Sequence, residues 1–316
     1  MNNTTKDQII TALEEWMKEN EYSANEFAAK SGVPSNYLSY MRRNIYFINA
    51  SGKDVEIDDK YFRMICDTID FDPDNKVAWT PRQTPQFMQM ISYLTDAKNF
   101  GYTNIIIGGT GSGKTYCTDI FIKQNPKDVF KITVGSLDTI TDLLDKIGIA
   151  MRLPLAGSPS KKLRTITKEI LKLKLDGRNP MIIWDESEYL KQATLCNIKE
   201  LHDNLYGKCA LILIGTNQLI AKIEKLKNKN AAGMPQFYRR VKYGIRELKP
   251  IDTRFKEFLT SIADRELKRF LQTECENYGE LHDALLPAMR EAERLNEPLT
   301  ENLVRKVLDL PKLATI

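Results

Sequence analysis

The stretch Ile105-Ile106-Ile107-Gly108-Gly109-Thr110-Gly111-Ser112-Gly113-Lys114-Thr115 constrains this chain more than any other. Three β-branched apolar residues read as a buried parallel strand. Behind them Gly108, Gly113, Lys114 and Thr115 take the fixed places of G-x-x-x-x-G-K-[ST]. The glycines let the backbone curl until its N–H groups face phosphate oxygens. The helix predicted over 116–124 adds its positive N-terminal end. Residues Gly108, Gly109, Thr110, Gly111, Ser112, Gly113, Lys114, Thr115 and Tyr116 are therefore the expected nucleotide cradle. Lys114 would reach the β- and γ-phosphates of ATP, and Thr115 would ligate Mg²⁺. A glycine-rich turn that binds nothing is the bland alternative; the strand in front and the helix behind speak against it.

About 70 residues on, Met181-Ile182-Ile183-Trp184-Asp185-Glu186 is an apolar strand ending in two acids. Asp185 would hold the Mg²⁺ shell, and Glu186 would orient or deprotonate the attacking water. A further apolar strand over 209–217 ends in Thr216 and Asn217. Either could sense the γ-phosphate, and spacing does not choose between them. Next come Arg239 and Arg240, then a strand over 243–248. An arginine there can reach a neighbouring subunit's phosphate as a finger, and a solvated basic patch is the competing reading for each. Strands at 129–134, 181–185 and 209–217 alternate with helices over 137–152, 159–175 and 188–205. The fold class is thus α/β, with a mostly parallel sheet covered on both faces.

A length of 316 residues suggests two or three domains. The expected boundaries are a helical domain over 1–70, a proline-marked linker over 71–85, the nucleotide module over 86–250 and C-terminal helices over 251–316. No apolar run is long enough to cross a bilayer, and the polar N-terminus lacks a signal-peptide core. Five scattered cysteines form no CxxC pair, which argues for reduced thiols and against a zinc site. The expectation is a cytoplasmic protein with no membrane partner.

Charge is unevenly spread. Residues 1–70 hold 8 Lys/Arg against 12 Asp/Glu, whereas 161–178 hold 7 against 2 and 222–249 hold 9 against 2. Lys161, Lys162, Arg164, Lys168 and Lys172 fall on one basic helix and are candidate contacts for double-stranded DNA. On charge and spacing alone a solvated helix face is the favoured reading.

Within 1–70, Ser23 and Glu26 form a capping box, Gly32 stops that helix and Ser35 can cap the next. Ala28 is small where the two helices would cross, and Val33, Leu38 and Met41 would face inward. This is helix-turn-helix grammar. The second helix would present Asn36, Tyr37, Ser39, Tyr40, Arg42 and Arg43, of which the two arginines are candidate DNA contacts. The acidic balance around them supports protein docking instead. Residues 45–59 read as a loop or small wing, ahead of a helix over 59–69.

Helical periodicity returns at 252–277, 280–295 and 300–308. A helical lid after a P-loop sheet is the arrangement of AAA+ ATPases. The usual lid arginine would lie in Gly-x-x-Arg; here Gly279-Glu280-Leu281-His282 puts histidine in its place, or Arg290 acts instead.

Order and motifs together resemble the transposition target-DNA ATPases typified by the phage Mu B protein. The resemblance covers a helix-turn-helix (27–43), the P-loop (108–115), a basic helix (161–174) running into an Asp-Glu strand (182–186), the strand 211–217 and an arginine after an aromatic-rich turn, Arg240. It implies ATP-dependent, mostly sequence-nonspecific DNA binding, homo-oligomeric filaments or rings with ATP between subunits, and a transposase partner. Two other functions fit the same residues. One is a helicase-loader or replication-initiation ATPase of the same superfamily. The other is a nucleotide-sensing transcription regulator whose helix-turn-helix reads an operator.

Overall fold

The computed structural model describes residues 1–20, 22–50, 53–69, 71, 73 and 79–311. They form two compact units: residues 1–79 with 289–297, and residues 80–288 with 298–316. The middle of the expected linker, residues 72 and 74–78, lies outside the described residues.

The first unit opens with α1 (Asn3–Glu19), α2 (Ala24–Ser31) and α3 (Ser35–Met41). Ser23 and Glu26 close the expected capping box on α2, and Gly32 ends it at φ +74°. Ser35 does not cap α3: Pro34 holds the cap position and no side chain bonds there. The segment left open as loop or wing is an antiparallel ribbon of β1 (Phe47–Ala50) and β2 (Lys53–Glu56), so this unit, expected to be all-α, carries two strands. The ribbon has a reason to form. Lys6 is fully buried against the Tyr46 and Phe62 rings, and its Nζ meets Glu56 Oε1 at 2.6 Å. That bond pins the end of β2 to α1. Then α4 (Asp59–Ile69) completes a core of Ile9, Leu13, Phe27, Leu38, Met41, Phe62 and Ile65.

The second unit is a three-layer α/β structure. Its elements are α5 (Pro85–Phe100), β3 (Thr103–Ile107), α6 (Lys114–Gln124), β4 (Val129–Thr133), α7 (Ile140–Ala150), α8 (Pro159–Leu175) and β5 (Met181–Asp185). There follow α9 (Gln192–Leu205), β6 (Ala210–Gly215), α10 (Asn217–Asn228), α11 (Met234–Val241) and β7 (Ile245–Glu247). The five strands are all parallel, in the order β4-β5-β6-β3-β7. Strand alternation divides the core. Ile105 and Ile107 join Trp184, Leu213, Ile166 and Phe237 on one face, while Ile106 joins Ile183, Ile212, Met90 and Phe121 on the other. Because β6 lies between β3 and β5, the glycine-rich loop and the Asp-Glu pair leave the sheet at the same edge but one strand apart.

The region expected as a single helix over 252–277 is α12 (Lys256–Leu259) and α13 (Arg265–Glu274). Asp264 is why it breaks: its carboxylate accepts the N–H groups of Glu266 and Leu267, starting a new helix. α14 (Tyr278–Leu295) and α15 (Glu301–Val307) follow. No helix among the described residues is long and apolar enough to cross a membrane.

Candidate nucleotide site

All strands of a parallel sheet end at one edge, and loops leaving that edge are the usual seat of ligands. Here β3, β5 and β6 deliver the three expected elements there together. Gly108 N–H donates to Gly215 O at 3.2 Å, tying the loop after β3 to the end of β6. Gly111 and Gly113 sit at φ +69° and +80°, where a side chain is strained, and Gly113 leads directly into α6. A Cβ on Gly108 would stand 2.9 Å from Leu248 and 3.0 Å from Ser112 Oγ, whereas Gly109 borders open space.

Lys114, the first residue of α6, folds back over this loop. Its Nζ donates to Gly108 O and Gly109 O, both at 2.8 Å. Burial pushes its pKa down, and the nearby Glu188 and Asp185 charges oppose that. Two buried hydroxyls, Ser112 Oγ and Thr216 Oγ1, have no hydrogen-bond partner, nor has Glu188 Oε2. An unpaired buried polar group costs about 1–3 kcal/mol. Orphaned hydroxyls at the ends of the loop and of β6, with an ammonium held only by loop carbonyls, fit a phosphate chain, whose oxygens would accept from both hydroxyls and from Lys114. The residues present therefore fit a nucleoside triphosphate.

The oxygen donors for a metal also meet. Thr115 Oγ1 donates to Asp185 Oδ2 at 3.0 Å, and Asp185 is 2% exposed. A hydroxyl beside one carboxylate, with the remaining positions open to water and phosphate, suits Mg²⁺. Lys131 of β4, which the sequence did not single out, reaches the same Asp185 Oδ2 at 3.2 Å and Asp119 Oδ1 at 2.7 Å. Glu186 is exposed at φ +57°, a strained conformation for a non-glycine residue.

Of the two sensor candidates, Thr216 has the buried unpartnered hydroxyl at the end of β6, and Asn217 is exposed at the start of α10. The two arginines also part company. Arg240 is clamped on both oxygens of Asp203, and its Nη1 donates to Gln236 O at 2.9 Å. Arg239 is exposed and makes no hydrogen bond or ion pair with the described residues. Neither arginine bonds to the P-loop or to Asp185 of its own chain.

Sequence reasoning missed Asn277. It stands between α13 and α14 against Gly111, where a Cβ would overlap its side chain, and Gly279 N–H donates to Gly111 O at 3.2 Å. Tyr278 hydroxyl donates to Gln86 Oε1 at 2.8 Å, and Gln86 Nε2 reaches Pro250 O at 2.7 Å. His282, at the expected arginine place, pairs with its neighbour Asp283 at 2.8 Å. Arg290 belongs to the segment grouped with the first unit.

The basic helix is α8, and its lysines are not equivalent. Lys161, Arg164, Lys168 and Lys172 are exposed, although Lys172 lies 3.6 Å from Glu169 and Arg164 Nε leans to Ser160 O. Lys162 corrects the expectation. It is buried, with both Asp145 oxygens at 2.6 and 2.7 Å, because it shares the inward stripe of Ile166 and Ile170. In the first unit Arg42 pairs with Glu14, and Arg43 donates to Ser39 Oγ at 2.8 Å, beside the exposed Tyr40 and Asn36.

Fold and site together define a P-loop ATPase with the AAA+ strand order. A family model described as an AAA domain matches residues 102–223. The solved structure of Cdc6p from Pyrobaculum aerophilum aligns with a TM-score of 0.56 at 16% identity, over 77% of this chain and 71% of that one. The ORC2 protein of Aeropyrum pernix in its ADP form aligns with a TM-score of 0.52 at 16% identity, over 75% and 71%. No curated protein matches.

Proposed function

We propose that this chain is an ATP-switched, DNA-binding AAA+ ATPase that assembles with ATP at subunit boundaries. The observation that carries the reading is the pair Arg239 and Arg240: one is bound into its own fold and the other stands free. A free arginine at this place suits a finger reaching a neighbouring copy's phosphate. In the site itself, Lys114 would hold the β- and γ-phosphates and Thr216 would read the γ-phosphate. Thr115 and Asp185 would hold Mg²⁺, which when bound supplies charge neutralisation of the phosphates. Glu186 would position the attacking water and take its proton. Four exposed cations on α8, Lys161, Arg164, Lys168 and Lys172, would track duplex phosphates, and Arg43 with Tyr40 would add contacts from α3.

Among the cellular roles open to such an ATPase, replication initiation or helicase loading is the one that the likeness to ORC2 and Cdc6p supports, through fold alone. Transposition target selection, with a transposase as partner, rests on the order of sequence motifs and gains nothing from the structural comparisons.

The test is binding of random-sequence duplex with ATP, ADP or no nucleotide across a salt series. The expected result is tight binding with ATP only, weakening steeply with salt. Lys114→Ala should lose the ATP effect, and Glu186→Gln should keep it while failing to release DNA. Lys168→Glu with Lys172→Glu should weaken binding, whereas Lys162→Ala should lower stability instead. Binding indifferent to nucleotide would overturn the reading. Recovery of a replicative helicase or of a transposase on the immobilised protein decides between the roles.

A further inference from the structure

The opposite edge of the sheet, where the strands begin, carries a second feature. Four large aromatic side chains lie exposed on the segments that lead into three adjacent strands. Phe100 (61% exposed) and Tyr102 (49%) precede β3, Tyr206 (75%) precedes β6 and Tyr243 (81%) precedes β7. Since β6, β3 and β7 are neighbours and parallel, the four are brought side by side. Local packing confirms it. The Phe100 and Tyr102 rings stack at 5.4 Å, a Cβ on Gly101 would stand 2.8 Å from the Gly207 carbonyl carbon, and Gly244 is pressed on Thr103 O.

Exposed aromatics gathered in this way usually mark a binding surface. Its charge identifies the occupant. Asp203, three residues before Tyr206, is answered within the fold by Arg240 and Lys199, and Asp96, one turn before Phe100, is the exposed acid beside the patch. The outward cations are Lys208, two residues after Tyr206, and Lys242, whose ammonium lies 4.5 Å from the Tyr243 ring centre, next to the aromatics themselves. Protein-binding patches favour tyrosine but are depleted in lysine. Aromatic faces interleaved with lysines match a chain of stacking bases and phosphates. A duplex keeps its base faces covered, so only an unpaired strand can use the rings.

We infer that the strand-entry edge formed by Phe100, Tyr102, Tyr206 and Tyr243 with Lys208 and Lys242 binds single-stranded nucleic acid by base stacking. This surface lies at the opposite end of the sheet from the nucleotide site. Its binding therefore does not depend on ATP.

The experiment titrates the full chain into a labelled oligo-dT of about 20 nucleotides and into an abasic strand of equal length, following anisotropy. Wild type and Lys114→Ala should bind oligo-dT alike, with or without ATP, and both should bind the abasic strand more weakly. Tyr206→Ala and Tyr243→Ala should each weaken oligo-dT roughly ten-fold and leave ATP-dependent duplex binding unchanged. Lys208→Glu with Lys242→Glu should weaken both single strands. All these side chains are exposed, and an unchanged melting temperature confirms the fold of each variant. Equal binding of oligo-dT and abasic strand would overturn the inference. So would tyrosine variants that bind oligo-dT like wild type, or that lose only self-association measured by light scattering.

Discussion

The two ends of one parallel sheet differ in material. Where β3, β5 and β6 finish, the chain places glycines, hydroxyls, ammoniums and carboxylates. Where the same sheet's β3, β6 and β7 begin, it places three tyrosines and a phenylalanine in solvent. The first end is spare and polar, with buried groups awaiting partners; the second is broad and largely aromatic. Strand direction explains the division. Backbone N–H groups and the N-terminus of α6 converge only at the finishing edge, so small charged ligands belong there. The entry edge offers no such field and must bind through side-chain surface.

The sharpest way to break this division is Lys114→Ala. It removes the cation folded over the phosphate loop. Turnover should fall by about 10²-fold or more, and protection against thermal unfolding by ATP should vanish. Oligo-dT binding at the entry edge should not change. If single-strand binding fell with it, the two ends would be one coupled device. The next largest effect separates the arginines. Arg239→Ala should lower turnover of the assembled protein by about 10³-fold while leaving the melting temperature in place. Arg240→Ala, which frees Asp203, should lower stability by about 1 kcal/mol. The reverse pattern would make Arg240 the finger.

Much of the finishing edge was legible because its signals are local. The P-loop and the Asp-Glu strand each occupy a short run, and the apolar residues leading into them fix their place in the sheet. Residues 217–241 were harder. Their lysines conceal two helices, whose only marks are short inward stripes: Leu219 and Ile223 on α10, and Met234, Phe237 and Val241 on α11. Lys162 was misplaced because charge was weighed ahead of position, although its spacing from Ile166 and Ile170 puts it on the buried stripe. Asn277 and Lys131 reach the nucleotide site only through tertiary folding, and nothing near them in sequence announces it. The entry-edge aromatics are scattered over 144 positions of chain, from 100 to 243, and only the strand order gathers them.

A smaller effect tests how the finishing edge is held to the C-terminal helices. Gly111→Ala places a Cβ at φ +69° and against Asn277. The left-handed backbone alone costs about 1–2 kcal/mol. The melting temperature should drop by about 2–4 °C for each kcal/mol, and ATP affinity should weaken as the loop shifts. Asn277→Ala in the same background should recover part of the stability by removing the overlap. No recovery would show that backbone strain alone sets the loss.

The smallest effect belongs to the entry edge and depends on pH. His202 Nδ1 lies 2.8 Å from Thr103 Oγ1, its ring packs edge-on to Tyr206, and burial holds its pKa below the usual 6.5. Asp203 beside it favours the proton and Arg240 opposes it, so burial sets the direction. The unfolded chain therefore takes up the proton more readily than the folded one. Stability is complete above the unfolded value and declines as pH falls through the window beneath it. His202→Asn, which can still bond Thr103 but does not titrate, should flatten the melting temperature as pH falls below about 6.5. Because Tyr206 leans on this ring, oligo-dT binding by wild type should weaken over the same interval, while ATP binding at the far edge stays constant. A pH dependence shared by both ends would mean that protonation loosens the whole sheet and not its entry edge alone.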